Sequence, residues 1–186
     1  MTMSITKDAA AQALDEVDAA LSRVFEAEGY ANASPYLIIW GAVWMFADLA
    51  VQFAPPRLAG YAWPIGIALG VIASIVAGFT QPKASNSAAM WRMILTWFVV
   101  AGFFVSLFLV IPLTSGIEVH SIFGIVFGFL YMGVGLWMGW RMFALGAALA
   151  ALTLIGFYEV RAWYGLYMGL VSGGALILGG LWLRKI

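Results

Sequence analysis

The sequence predicts an all-α polytopic membrane bundle, six transmembrane helices preceded by one amphipathic cytoplasmic helix, and three observations predict it. Hydrophobic residues fill 64% of the 186 positions and charged residues only 10%, far from the balance of a water-soluble domain. The charges are segregated, since 8 of the 18 precede Gly29 and that stretch holds six acids against two bases. Beyond it the chain reads as apolar runs of about 20 residues, the length a helix needs to cross roughly 30 Å of hydrocarbon.

Residues 1–30 form the first region, with a helix expected over 7–28. Thr6 is its N-cap, Asp8 sits in the first turn where a negative charge meets the positive helix end, and Gly29 is the C-terminal stop. Ala10, Leu14, Val17, Leu21 and Val24 recur at spacings of four, three, four and three, with Phe25 beside them. That is a narrow apolar stripe on a segment of net charge −4, and two and a half heptads are too few for a stable coiled coil. Such a stripe either packs on the chain's own cytoplasmic loops or docks a protein partner or a second copy of the chain. In the docking reading Leu14, Val17, Leu21, Val24 and Phe25 are the contact residues. Anionic lipid repels so acidic a segment, and nucleic acid requires the opposite charge.

The second region, 35–183, divides into spans at 35–54, 61–80, 92–113, 119–139, 142–159 and 162–183. Ser34 and Pro35 read as an N-cap with proline at the first helical position, and Pro55 and Pro56 stop that helix. Pro64 falls in the first turn of the second span, Pro82 just past its end, and Pro112 in the last turn of the third. From Ser121 to Tyr158 the only charge is Arg141. A straight helix over that stretch reaches about 57 Å, nearly twice the hydrocarbon thickness, so it must break. Gly139-Trp140-Arg141-Met142 is the place, because glycine permits the turn and arginine holds it at a polar boundary.

Placing both termini in the cytoplasm gathers Lys83, Arg92, Arg141, Arg184 and Lys185 on the inner side and leaves Arg57 and Arg161 outside, as the positive-inside rule asks. Trp63, Trp91, Trp140, Trp163 and Trp182 fall near span ends, as an aromatic belt would. The first apolar run begins at Tyr36 after an acidic segment, so no cleavable signal peptide is expected. There is no cysteine, which excludes disulfides, thiolate metal sites and cysteine nucleophiles.

Chemistry-bearing residues are few. Asp48 is the one acid well inside a span, and an ionised carboxylate in hydrocarbon must be partnered, protonated or turned into the bundle. Trp44, Asp48 and Gln52 are spaced by four and share its face. Asp48 with Gln52 and Tyr131 is the candidate substrate or proton path. The structural alternative is a hydrogen bond from Asp48 to Ser106, Tyr131 or Tyr167. His120, the lone histidine, falls in an outer loop over 115–121. Glu118, His120, Glu159 and Asp48 have no HExxH or ExxH spacing, so neither a metal nor a cofactor is expected. Gly66/Gly70, Gly124/Gly128, Gly135/Gly139 and Gly165/Gly169/Gly173 are small-residue stripes that let helices approach closely. No nucleophile-base set or paired carboxylates occur, which makes an enzyme the poorest of the broad classes.

Tyr36–Trp44, reading YLIIWGAVW, and Met168–Lys185, reading MGLVSGGALILGGLWLRK, resemble a loose set of uncharacterised bacterial multi-pass inner-membrane proteins with a short cytoplasmic N-terminal helix. The resemblance implies a bacterial plasma-membrane component, of a set in which some members are suspected of working with a cytoplasmic regulator, and it carries over no functional residues. The leading expectation is a non-enzymatic scaffold or sensor-like protein whose N-terminal helix docks a partner. The alternative is a small oligomeric transporter or channel in which Asp48 is the coupling carboxylate.

Overall fold

In the computed structural model the described residues are 7–81, 87–111 and 115–185, with side chains described from Gln12 onward and, in the third helix, at Leu95 and from Phe98 onward. Thr6, Pro82, Lys83 and Pro112, read above as a cap, helix ends and an orienting charge, lie outside them, as do the side chains of Asp8, Ala10, Trp91 and Arg92. Every regular element described is helical: α1 Lys7–Phe53, α2 Pro56–Thr80, α3 Ser87–Val110, α4 Gly116–Met138 and α5 Trp140–Glu159. The last span opens on a 3₁₀ turn, Arg161–Trp163, and continues as α6 Tyr164–Tyr167, a π-helical stretch Met168–Gly173 and α7 Gly174–Leu183. Five helices are long and apolar enough to cross a membrane: α1, α2, α4, α5 and this last span over Arg161–Leu183.

The first correction concerns α1, which runs 47 residues without a break. Neither the stop at Gly29 nor the cap at Ser34–Pro35 is present, because tertiary contacts recruit those residues for other work. Gly29 lies against Met138, and a Cβ there would come within 2.6 Å of the Met138 methyl. Tyr30 is fully buried and donates its hydroxyl to Glu26 at 2.6 Å while accepting from the Arg141 N–H at 3.3 Å. Ser34 turns its hydroxyl away from its own backbone, donating to the Gly180 carbonyl at 2.7 Å and accepting from Arg184 Nε at 3.0 Å. Pro35 then sits inside the helix, where the missing N–H forgoes one bond that packing offsets. The segment read as a separate cytoplasmic helix and the first span are one element of about 70 Å at 1.5 Å per residue.

The second correction is smaller. Pro55 caps α2 and Pro56 is its first residue, so α2 begins five residues earlier than expected and Pro64 is interior. The break between α4 and α5 falls at Gly139 as the sequence demands. Its φ of 115° and ψ of 160° belong to a region essentially reserved for glycine.

Neighbouring helices run antiparallel, and this fixes two ends of the bundle. Gln81, at the end of α2, donates to the Asn32 carbonyl at 3.0 Å, while Gly66 and Gly70 lie against Val43 of α1. The last span descends α1 through glycine contacts, with Gly165 against the Asp48 carbonyl, Gly173 against Gly41 and Gly180 against the Ser34 carbonyl. In α4 and α5, Gly124 lies against Thr153, Gly128 against Ala150 and Gly135 against the Phe143 backbone. Tyr30, Ser34, Gln81, Gly139, Arg141 and Arg184 therefore share the tail end of the bundle, and Asp48, His120 and Tyr164 share the far end. Phe104 of α3 stacks on Phe123 of α4 at 4.3 Å between ring centroids. The core gathers Tyr30, Leu37, Trp44, Met142, Leu149, Tyr164, Met168, Leu176 and Leu183.

Candidate functional site

The far-end cluster assembles from four helices. Asp48 is one turn and a half before the end of α1 and is buried, with 3% of its surface exposed. The last span backs it directly, since a Cβ at Gly165 or Gly169 would meet the Asp48 carbonyl or Cβ. A larger residue at Gly165 would push α1 away.

His120 reaches Asp48 because α4 starts early. Ser115 accepts from the Glu118 N–H at 3.3 Å, and Glu118 accepts from the Ser115 N–H at 3.2 Å, a reciprocal cap that starts the helix at Gly116. His120 is thus helical rather than part of an outer loop, and its ring projects into the bundle with 7% exposure. Its Nδ1 stands 3.3 Å from Asp48 Oδ1. The serine and tyrosine partners expected for Asp48 are elsewhere. Ser106 donates to its own helix at the Gly102 carbonyl, Tyr167 packs against Gly156, and Tyr131 lies eleven residues beyond His120, about 16 Å along α4.

Aromatic rings close around the imidazole. The Trp44, Trp63 and Tyr164 centroids lie 4.8, 5.0 and 5.6 Å from it, all edge-on. Trp63, expected near a span end, packs on Trp44 and His120. Tyr164 is held by a 2.7 Å hydrogen bond with Ser121, and Gln52 accepts from the Gly165 N–H at 3.2 Å. Two buried atoms of this cluster have no hydrogen-bond partner among the described residues, Asp48 Oδ2 and His120 Nε2. With Nδ1–H facing the carboxylate, both are acceptors, so the site is matched to a hydrogen-bond donor or a cation.

Of the candidate path residues, the structure brings Asp48 and Gln52 to one end and leaves Tyr131 packed beside Phe127. Glu118 is engaged in the cap at Ser115. No group of three or more histidine or acidic side chains placed to hold a metal occurs among the described residues. The sequence brought His120 and Asp48 to the same side only as members of a weak metal-ligand set, and it gave no sign of Ser121, Trp63 or Tyr164 around them. The signal for His120 was present in Ser115-Gly116-Ile117-Glu118, a capping-box pattern before an apolar run.

The apolar stripe of the tail is open. Leu14, Val17, Leu21, Val24 and Phe25 are 65, 53, 61, 55 and 61% exposed. Its lower end forms one wall of an open groove of about 420 Å³ with Leu136, Trp137 and Met138 at the end of α4. No family model, curated protein or solved structure matches this chain.

Proposed function

We propose that this is a non-enzymatic, sensor-like membrane protein in which α1 joins a buried polar site to an exposed docking seam. The observation that carries this reading is the continuity of α1 from Lys7 to Phe53. Asp48 and the seam of Leu14, Val17, Leu21, Val24 and Phe25 belong to one rigid element, so a shift of α1 against α4 at the far end displaces the seam as well. An apolar stripe on a charged helix is the usual form of a helix-in-groove ligand, and the five exposed side chains leave it free to act as one.

In this reading the chain crosses a bacterial plasma membrane six times with both termini inside. The sixth crossing is supported by connectivity, because α2 ends at the tail end and α4 starts at the far end. α3, with its apolar stretch Phe98–Val110, is the segment that joins them. The orientation is supported by Arg141, Arg184 and Lys185 at the tail end against Arg57 and Arg161 at the other. Trp140 and Trp182 pair there at 5.3 Å, with Arg141 over the Trp182 ring.

A photo-crosslinking residue at Val17 in cells tests the docking. A discrete adduct is expected, lost when Leu14 and Leu21 are both changed to Glu. Absence of an adduct, or one indifferent to those changes, contradicts the reading. A transporter using Asp48 is the second reading, favoured by the burial of Asp48 with His120. It ranks lower because Tyr131 lies away from that pair. Asp48→Asn blocks liposome flux if it holds.

A further inference from the structure

We infer that Asp48 and His120 together form a binding site for a single proton, held between α1 and α4 at the far end of the bundle. Both side chains are more than nine-tenths buried, and each presents an acceptor atom, Asp48 Oδ2 and His120 Nε2, without a partner among the described residues. Native interiors rarely leave such atoms bare, so an orphaned pair on two facing helices calls for an explanation.

Geometry selects the ligand. Three aromatic rings touch the imidazole at centroid distances of 4.8 to 5.6 Å, which leaves no room for an organic molecule beside it. The smallest cation is a proton, and an acceptor lone pair takes it up directly. Its uptake on Nε2 turns the ring into an imidazolium paired with the Asp48 carboxylate 3.3 Å away. A buried net charge of −1 then becomes a neutral pair, and hydrocarbon surroundings favour that change. Edge-on contacts from Trp44, Trp63 and Tyr164 hold the ring in place in both states.

Few other charges face the pair. On this stretch of α1 there is none but Asp48 itself, and α2 contributes Trp63 with Arg57 nearer its start. α4 supplies Glu118, which is engaged in the cap at Ser115. The last span supplies Tyr164, bonded to Ser121, and Arg161 at its opening, and α5 ends in Glu159. Occupancy changes the attraction between the first turns of α4 and the end of α1. Its use as the stimulus for the seam rests on the docking reading above, whereas proton binding itself does not.

His120 is the only histidine in the chain, so 15N-histidine labelling of the full-length protein in nanodiscs reports one ring. Expected from pH 9 down to pH 4 is a single transition, from a ring protonated at Nδ1 and bare at Nε2 to one protonated at both. Asp48→Asn displaces its midpoint by about one pH unit or more, the usual effect of a charge within 4–6 Å. A ring that keeps one protonation state throughout, or starts protonated at Nε2 instead of Nδ1, overturns the inference using the parent alone. An unmoved midpoint in a folded Asp48→Asn variant does the same. The Val17 crosslink is unaffected by any of these outcomes unless the seam responds to the site, so the two readings fail separately.

Discussion

The two ends of the bundle handle buried polar groups in opposite ways. At the tail end the hydroxyls of Tyr30 and Ser34 each serve two partners: Tyr30 bridges Glu26 and the Arg141 N–H, and Ser34 bridges Gly180 and Arg184. At the far end Asp48 and His120 meet each other through one contact and leave an atom each unpaired among the described residues. Saturated networks specify a packing arrangement, and unsaturated ones are retained at a cost that structure alone does not repay. The contrast supports the proposal that the tail end is architecture and that the Asp48–His120 pair is the working site.

That contrast predicts unequal responses to substitution, measured as unfolding in detergent. The largest effect is expected at Gly139. Valine there needs a backbone conformation reserved for glycine and would meet Glu26 and Tyr30, so a loss of about 3 kcal/mol or more is expected. Tyr30→Phe removes a buried hydroxyl that serves two partners and is expected to cost about 2 kcal/mol. Ser34→Ala follows at about 1 kcal/mol, the usual size of an interhelical hydrogen bond in a membrane. Asp48→Asn is expected to cost less than either, because the amide adds a donor to a site that holds only spare acceptors. A far-end loss larger than that of Tyr30→Phe would erase the distinction between the two ends. Leu14→Glu and Leu21→Glu, on the exposed seam, are each expected to lie within about 0.5 kcal/mol of the parent, while the two together remove the Val17 crosslink.

Much of this was legible in the residues. The apolar runs dictate helices long enough to cross a membrane, and the impossibility of a straight helix from Ser121 to Tyr158 located the Gly139 break. The cost of burying a carboxylate singled out Asp48. The failures share one physical cause, that local punctuation yields to packing. Gly29 and Ser34–Pro35 look like a stop and a start, but Met138, Gly180 and Arg184 use those positions, and the helix continues. The partner of Asp48 lies three helices further along the chain, and only the placement of α4 beside α1, with the cap at Ser115, brings His120 to it.

The proposed coupling between the seam and Asp48 depends on α1 being one helix between them. Because the chain has no cysteine, cysteines at Leu21 and Phe53 give a clean pair of spin-label sites, and pulsed electron paramagnetic resonance in nanodiscs reads the distance between them. At about 1.5 Å per residue, the helical rise from Leu21 to Phe53 predicts one narrow distribution centred at roughly 48 Å. A broad distribution centred below roughly 40 Å is too short for that rise; it means a joint at Gly29 or Pro35, and would separate the seam from the site it is held to report.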